Sequence, residues 1–329
     1  MEQPLVTIVT PSYNQAPFLE WTLRSVLAQD YPHLEYIVVD GGSTDGSVDI
    51  LRKYEKRLAW WVSEPDRGQA DALQKGFRRA RGQILGWVNS DDMLAPGALA
   101  QVVEVFRRQP QVGLVAGEAF FIDSVGRPFR HYRPEAHSLE DLMAFRILCQ
   151  PAVFFRREVY EAAGGMDPSY HYLLDHHLWI RMALHARLHT ENRLWAFARF
   201  HAAAKNFAQG EGFAREAKRL LTWMAADPRL APFFQRHRRR ILAAGYRFMG
   251  RYLLDAGKSG EALQAYLKAW WHHPREAAQE AHRTLFAVLH LLGLGFLGGW
   301  YLGWKRGHLP PEARRRGWYN VHRLYAFAL

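Results

Sequence analysis

The chain has 329 residues, 49% of them hydrophobic and 23% charged, which is typical of globular domains and argues against a disordered or collagen-like chain. Its single cysteine, Cys149, excludes an intrachain disulfide or a thiolate metal cluster and fits a reducing compartment. The net charge of +11 is uneven, because residues 1–205 sum to −1 and residues 206–329 to +12. The basic last third predicts contact with an anionic surface, with an ordinary solvated helical face as the alternative.

The amino-terminal part alternates strand and helix patterns, which favours a parallel, doubly wound sheet. The first strand pattern starts almost at once, so we expect no signal peptide and a cytoplasmic location. The predicted strands are Leu5–Thr10, Leu34–Val39, Ala59–Ser63 and Ile84–Val88. The predicted helices are Pro17–Gln29, one that starts near Ser47, and Gln69–Arg81.

Each of these strands ends in a loop rich in Gly, Asp or Asn, and ligands of open α/β sheets bind at this edge. The fourth strand ends at Asp91 and Asp92, two adjacent carboxylates whose repulsion a divalent cation would relieve. The alternative is an Asp-rich turn that caps a helix beginning near Pro96. No GxGxxG follows the first strand and no GxxxxGK[ST] is present, which disfavours a dinucleotide-binding Rossmann half or a P-loop site.

Further along, the patterns predict more strands and a helix that begins near His176. The strands are Val112–Gly117, Ala119–Ile122 and Cys149–Phe155. Asp175 lies at the amino terminus of the helix, and the residues alone favour a helix cap there.

Five motifs in order resemble the family 2 glycosyltransferases of the GT-A fold, over roughly residues 4–205. They are VTIVTPSYNQ, VVDGGSTDGS, SEPDRGQADALQKG, VNSDD and QPAVFFRREVYEAAGGMDPSYHYLLDHHLWIRMA. The resemblance implies a GT-A type α/β fold, Rossmann-like with a mostly parallel central sheet, followed by an α-helical carboxy-terminal region. The expected domains are residues 1–205 and a basic helical region 206–329.

The resemblance also implies an inverting transfer of a sugar from a nucleotide-diphosphate donor to an acceptor hydroxyl, with Mn²⁺ or Mg²⁺. Asp175 would be the catalytic base and Asp92 the metal ligand, with His201 as a secondary ligand. Lys205 and Gln150 are secondary candidates for the diphosphate or the sugar. The donor nucleotide would be bound by Pro11, Tyr13, Asp40, Asp45, Asp66, Gln69 and Asp91.

The pattern departs from the family at two positions beside the predicted base. The family usually has Glu before this Asp and a further Asp after it, where this chain has Leu174 and His177. Two alternatives therefore stay open: a nucleotidyltransferase on a similar sheet, and a non-catalytic membrane or assembly module. A nucleic-acid partner is not expected, because the basic helices lack a recognised reading motif.

The last third has a helical pattern, in which Gly260–Pro274 predicts half of a packed helical pair. Leu285–Trp304 is apolar apart from His290 and is long enough for a bilayer core of roughly 30 Å. It predicts a membrane span, an interfacial helix or a soluble core or dimer helix, and its repeated GxxxG spacing would suit a homodimer. The acceptor is expected to be a saccharide or lipid-linked, in cell-surface polysaccharide or glycolipid synthesis, with the basic helices on an anionic membrane surface.

Overall fold

A computed structural model of the chain describes residues 3–201, 209–295 and 320–325. These residues form two compact units. The first comprises residues 3–137, 148–200 and 320–325, and the second comprises residues 138–147, 201 and 209–295.

The first unit is built on a nine-stranded sheet in the order β3-β2-β1-β4-β8-β6-β9-β5, with β7 paired to β6. Its strands are β1 (Val6–Ser12), β2 (Leu34–Asp40), β3 (Trp60–Ser63), β4 (Ile84–Trp87), β5 (Met93–Leu94), β6 (Val112–Ile122), β7 (Pro128–Tyr132), β8 (Val153–Arg156) and β9 (Arg187–Arg199). The first four strands are all parallel neighbours, as the alternation of strands and helices predicts.

The helices of this unit connect and cover the strands. They are α1 (Ala16–Leu27), α2 (Ser47–Tyr54), α3 (Gln69–Arg79), α4 (Ala98–Arg108), α6 (Arg157–Ala162) and α7 (Leu174–Met182). Every residue of β1 is buried, which is the pattern of a parallel strand covered on both faces. In register, Ser12 of β1 lies opposite Asp40 of β2, and Asp40 lies opposite Ser63 of β3. The loops that leave these strands therefore start side by side.

Beyond β4 the sheet is mixed, because β8 is antiparallel to both β4 and β6 while β6 and β9 are parallel. The two strands predicted at 112–117 and 119–122 form one strand, β6, with a register shift around Gly117. A Cβ on Gly117 would lie 2.4 Å from the Trp195 ring, so this glycine allows the close approach of β9. The strands β5, β7 and β9 were not expected from the sequence.

The second unit is helical among its described residues, as predicted for the carboxy-terminal region. Its helices are α5 (Leu139–Met143), α8 (Gly210–Ala226), α9 (Ala231–Arg236), α10 (Arg238–Asp255), α11 (Ser259–His272), α12 (Pro274–Ala277) and α13 (Ala281–Leu291). Helix α5 precedes β8 in sequence but pairs within this unit, where Asp141 accepts a hydrogen bond from Arg240 at 2.8 Å. The buried Arg247 of α10 pairs with Glu276 at 3.2 Å and with Glu280 at 3.1 Å.

The apolar stretch Leu285–Trp304 is only partly described, and its GxxxG residues Gly299 and Gly303 lie outside the described residues. Helix α13 ends at Leu291. In the part of the chain that the structure covers, no helix combines the length and the hydrophobicity needed to cross a membrane.

Candidate active site

The candidate site lies at the carboxyl ends of β1, β2, β3 and β4. Asp40, the last residue of β2, is fully buried. Its Oδ2 accepts hydrogen bonds from the amides of Gly42 (3.1 Å) and Ser43 (2.8 Å) and from the Ser63 hydroxyl (2.7 Å), and its Oδ1 accepts from the Ser43 hydroxyl (2.6 Å). Asp40 thus holds the loop after β2 in a fixed shape against β3.

The loops after β1 and β2 are tied together by side-chain hydrogen bonds, among them those of Asn14 and Asp45. Asn14 accepts a hydrogen bond from the Thr44 amide at 2.9 Å. Asp45 accepts from the amide of Ala16 at 2.8 Å and from the amide and hydroxyl of Ser47 at 3.1 and 2.7 Å. Partial burial raises the pKa of Asp45, but these hydrogen bonds outweigh it and the pKa is lowered. Asp45 therefore stays ionised and joins the amino termini of α1 and α2.

The other residues predicted to bind the nucleotide lie on the same edge. Pro11 is buried in β1, whereas Tyr13, just after it, is 62% exposed and offers a free ring face. Asp66 accepts a hydrogen bond from the Gly68 amide at 2.7 Å. A Cβ on Gly41 would lie 2.8 Å from the Asp66 carboxylate, so the loops after β2 and β3 touch where only glycine fits.

Residues 89–92, which we name the acidic turn, follow β4. Gln69, at the start of α3, donates to the Asn89 side chain at 2.7 Å, and Asn89 donates to Asp92 Oδ2 at 3.2 Å. The Arg199 amide donates to Asp92 Oδ1 at 2.8 Å. Asp92 is 6% exposed with both carboxylate oxygens engaged, whereas Asp91 is half-buried.

The ionised form of Asp92 is disfavoured within the acidic turn. Burial raises the pKa of Asp92 well above its usual value, and the neighbouring negative charge of Asp91 raises it further. Hydrogen bonds from Arg199 and Asn89 offset only part of this effect. A bound cation would favour the ionised form of Asp92, so the carboxylate oxygens of the acidic turn fit a divalent ion.

Arg199, at the end of β9, was not identified from the sequence. It is 5% exposed, and its Nε donates to the Asp91 carbonyl oxygen at 2.8 Å. Its remaining N–H groups reach the carbonyl oxygens of Asp123 (3.1 Å) and Ser124 (3.2 Å) and the His322 ring (3.0 Å). Burial lowers the pKa of Arg199, although the nearby aspartates partly oppose the shift.

The charges of the acidic turn and of the predicted base both act on Cys149, which is followed by Gln150. Burial raises the pKa of the Cys149 thiol well above its usual value, and the negative charges of Asp92 and Asp175 raise it further. Both aspartates therefore lie within electrostatic range of the same side chain. Gln150 donates to the Trp87 carbonyl oxygen at 2.8 Å, and its buried Oε1 has no hydrogen-bond partner among the described residues.

Asp175 lies in the first turn of α7, and its Oδ1 accepts a hydrogen bond from the His176 amide at 2.7 Å. It is half-buried, unlike the two neighbours at which the chain departs from the family pattern. Leu174 is 5% exposed and packs in the core. His177 is 4% exposed and its ring stacks on Tyr170, with centroids 4.1 Å apart. Both substitutions therefore contribute packing around Asp175.

The secondary candidates for the cation or the diphosphate are His201 and Lys205. His201 belongs to the second unit and is half-buried. Lys205 lies outside the described residues. No group of three His, Cys, Asp or Glu side chains within residues 3–201, 209–295 and 320–325 could hold a metal ion by itself. A cation here would need further oxygen ligands, such as those of a phosphate.

The sequence of the chain is similar to those of known glycosyltransferases. The sequence profile described as "Glycosyl transferase family 2" matches residues 7–164. An uncharacterized glycosyltransferase of Mycobacterium tuberculosis (strain CDC 1551 / Oshkosh) is 34% identical over 55% of this chain and 70% of its own length. The putative teichuronic acid biosynthesis glycosyltransferase TuaG of Bacillus subtilis is 34% identical over 47% of this chain and 64% of its own length.

A solved structure shares the fold. The mannosyltransferase PcManGT of Pyrobaculum calidifontis, in complex with GDP-Man and Mn²⁺, superposes with a TM-score of 0.56 at 23% identity. The match covers 89% of this chain and 88% of that one. The predicted GT-A type of α/β fold with a helical carboxy-terminal region is thereby confirmed.

Proposed function

Because the chain belongs to glycosyltransferase family 2, we propose that it transfers a sugar, with inversion, from a nucleotide-diphosphate donor to an acceptor hydroxyl, and that a divalent cation assists. The observation that supports this most is the acidic turn, in which Asp91 adjoins the buried Asp92 at the carboxyl end of β4. Tyr13, Asp40, Asp66 and the other residues predicted to bind the nucleotide surround the same strand ends.

We place the cation on Asp91 rather than on Asp92, the ligand expected from the sequence. Both carboxylate oxygens of Asp92 already accept hydrogen bonds from protein groups, and the side chain is 6% exposed. Asp91 is the more exposed of the pair. When bound, Mn²⁺ or Mg²⁺ would stabilise the negative charge that develops on the departing diphosphate. His201 and Lys205 stay secondary candidates for the cation or the diphosphate.

Asp175 is the proposed general base. It takes the proton of the acceptor hydroxyl, whose oxygen attacks the anomeric carbon from the face opposite the diphosphate. The bond from that carbon to the diphosphate oxygen then breaks, and the nucleoside diphosphate leaves. The hydrogen bond from the His176 amide orients the carboxylate, and Gln150 stays a secondary candidate for the diphosphate or the sugar.

Product analysis tests this function against the nucleotidyltransferase alternative. The full chain is incubated with UDP- and GDP-sugars and Mn²⁺, and the phosphate products are separated by ion-exchange chromatography. We expect release of UDP or GDP, because the sugar–phosphate bond breaks in a glycosyl transfer. A nucleotidyltransferase would instead release pyrophosphate from a parallel mixture of UTP or GTP with a sugar 1-phosphate, and the absence of any reaction in both mixtures would support a non-catalytic module.

We further propose a saccharide or lipid-linked acceptor on an anionic membrane surface. TuaG, one of the similar proteins, is named for teichuronic acid biosynthesis. On α11 of the helical unit, Trp271 is 87% exposed and Leu267, one turn earlier, is 57% exposed. Exposed aromatic and aliphatic side chains beside basic ones are typical of helices that lie on anionic membranes.

The basic side chains lie close to this exposed pair. The pKa of His272, next to Trp271, is lowered by burial and by the positive charges of Arg238 and Arg239. Those two arginines are in the first turn of α10, which has no acidic residue to balance them. We name Leu267, Lys268, Trp271, Arg238 and Arg239 the Trp271 patch.

The Trp271 patch predicts binding to anionic vesicles. Each Arg near such a surface contributes about 1 kcal/mol, so Arg238→Gln with Arg239→Gln should weaken binding by about 2 kcal/mol. Co-sedimentation with phosphatidylcholine vesicles, with and without about a third of phosphatidylglycerol, measures this. Val125→Ser, which alters a side chain 50% exposed in the first unit, is the matched control and should leave binding unchanged. Equal binding to neutral and anionic vesicles would contradict the prediction.

A further inference from the structure

The described carboxy-terminal segment, residues 320–325, is built into the first unit. Val321 and Tyr325 are 0% and 2% exposed and join the apolar cluster around β5, β6 and β9. The Val321 amide donates to the Gly126 carbonyl oxygen at 2.9 Å, and the Tyr325 hydroxyl donates to the Leu94 carbonyl oxygen at 2.5 Å. Because Leu94 lies two residues after Asp92, this hydrogen bond attaches the segment to the chain that immediately follows the acidic turn.

His322 connects this segment to the site. Its ring stacks on Trp21 of α1, with centroids 4.3 Å apart and planes 4° from parallel. Its Nε2 lies 3.0 Å from an N–H group of Arg199, which has no acceptor atom, so the histidine accepts this hydrogen bond. Burial and the Arg199 charge lower the pKa of His322 to about 4. The ring is therefore neutral near pH 7 and can accept.

Arg199 in turn contacts both aspartates of the acidic turn. Its amide donates to Asp92 Oδ1 and its Nε donates to the Asp91 carbonyl oxygen, both at 2.8 Å. The N–H donors of the planar guanidinium have fixed relative directions, so a hydrogen bond to one donor also fixes the directions of the others. Its remaining partners include the Asp123 carbonyl oxygen and His322. The orientation of the acidic turn thus depends on the Asp123 carbonyl oxygen and on His322, which hold the Arg199 guanidinium.

We propose that Arg199 and His322 are positioning residues for the cation and diphosphate site, and that the carboxy-terminal segment is part of the catalytic domain for this reason. The proposal rests on the proposed function. Arg199 fixes the Asp91 backbone and one Asp92 oxygen, and its positive charge opposes the repulsion between the two carboxylates. His322 fixes the guanidinium by accepting its outer hydrogen bond.

Two substitutions at His322 in the full chain separate positioning from packing. His322→Phe keeps a ring on Trp21 and removes the acceptor, whereas His322→Gln keeps an acceptor and removes the ring. Mn²⁺ binding is followed by electron paramagnetic resonance in the presence of UDP or GDP, and the unfolding temperature is recorded for each protein. We expect about 10-fold weaker Mn²⁺ binding for His322→Phe, as for other residues that orient metal ligands. His322→Gln should restore most of this loss.

Arg199→Lys provides a second test, because lysine keeps the charge and loses the planar set of donors. It should also weaken Mn²⁺ binding by about 10-fold, with a raised KM for Mn²⁺ and an unchanged kcat at saturating Mn²⁺. Wild-type affinity in His322→Phe would overturn the inference, as would equal losses in both His322 variants that follow their unfolding temperatures. If the unaltered chain bound no nucleotide with Mn²⁺, the proposed function would fail, and this inference with it.

Discussion

Replacing Asp175 with asparagine is expected to lower kcat by about 10²- to 10⁴-fold, the usual contribution of a general base. The amide cannot take the proton of the acceptor hydroxyl, but it keeps the size of the side chain and can still accept from the His176 amide. The proposed donor site lies at the strand ends and the acidic turn, so the affinity for nucleotide should change little. Steady-state kinetics with a nucleotide sugar and calorimetric titration of the nucleotide measure both quantities.

Asp167→Asn is the matched control for this substitution. Asp167 lies in the loop before α7, where it accepts hydrogen bonds from the amide (2.9 Å) and the hydroxyl (2.6 Å) of Ser169. The same change of carboxylate to amide is made close to Asp175 but outside the proposed chemistry, so most of kcat should remain. Undiminished turnover in Asp175→Asn would refute the assignment of the base.

Asp91→Ala is expected to weaken Mn²⁺-dependent binding of UDP or GDP by about 100-fold, since two unit charges about 4 Å apart near a protein surface interact by about 4 kcal/mol before screening. Binding without Mn²⁺ should be nearly unchanged, because most of the proposed nucleoside contacts lie on the loops after β1, β2 and β3. Calorimetric titrations of UDP and GDP with and without Mn²⁺ separate the two contributions.

Asp92→Asn is the comparison that decides between the two aspartates. Its side-chain oxygen can still accept from the Arg199 amide, and the change removes a buried charge whose ionised form is disfavoured. The loss of Mn²⁺-dependent affinity should therefore be smaller than for Asp91→Ala. The opposite ranking would restore the assignment of the metal to Asp92 that the sequence suggests.

The first half of the fold could be predicted from the sequence, because its signals are local. The run Leu34–Val39 and the Gly-rich loop after it specify a buried strand and its end without reference to the rest of the chain. β9 could not be predicted in this way. Its residues Arg187–Arg199 mix charged and apolar side chains, and the strand forms because it pairs with β6, far away in sequence.

The candidate site shows the same division. Asp40, Asp91 and Asp175 were identified because each ends a strand or begins a helix, and the family motifs fix their order. The orientation of adjacent side chains on one turn is set by distant partners. Arg199 is more than 100 residues from the acidic turn in sequence and 123 residues from His322. The burial of Arg199 therefore could not be predicted from the residues next to it in the sequence.

The position of the cation is the most direct test of the whole account. Crystals of the full chain are soaked with Mn²⁺ and UDP or GDP, and anomalous diffraction locates the manganese. The account predicts one peak beside the diphosphate, about 2.0–2.6 Å from an Asp91 carboxylate oxygen, the range of hard cations bound by oxygen. A nucleotide bound at the strand ends with manganese elsewhere, or with none at saturating Mn²⁺, would contradict it.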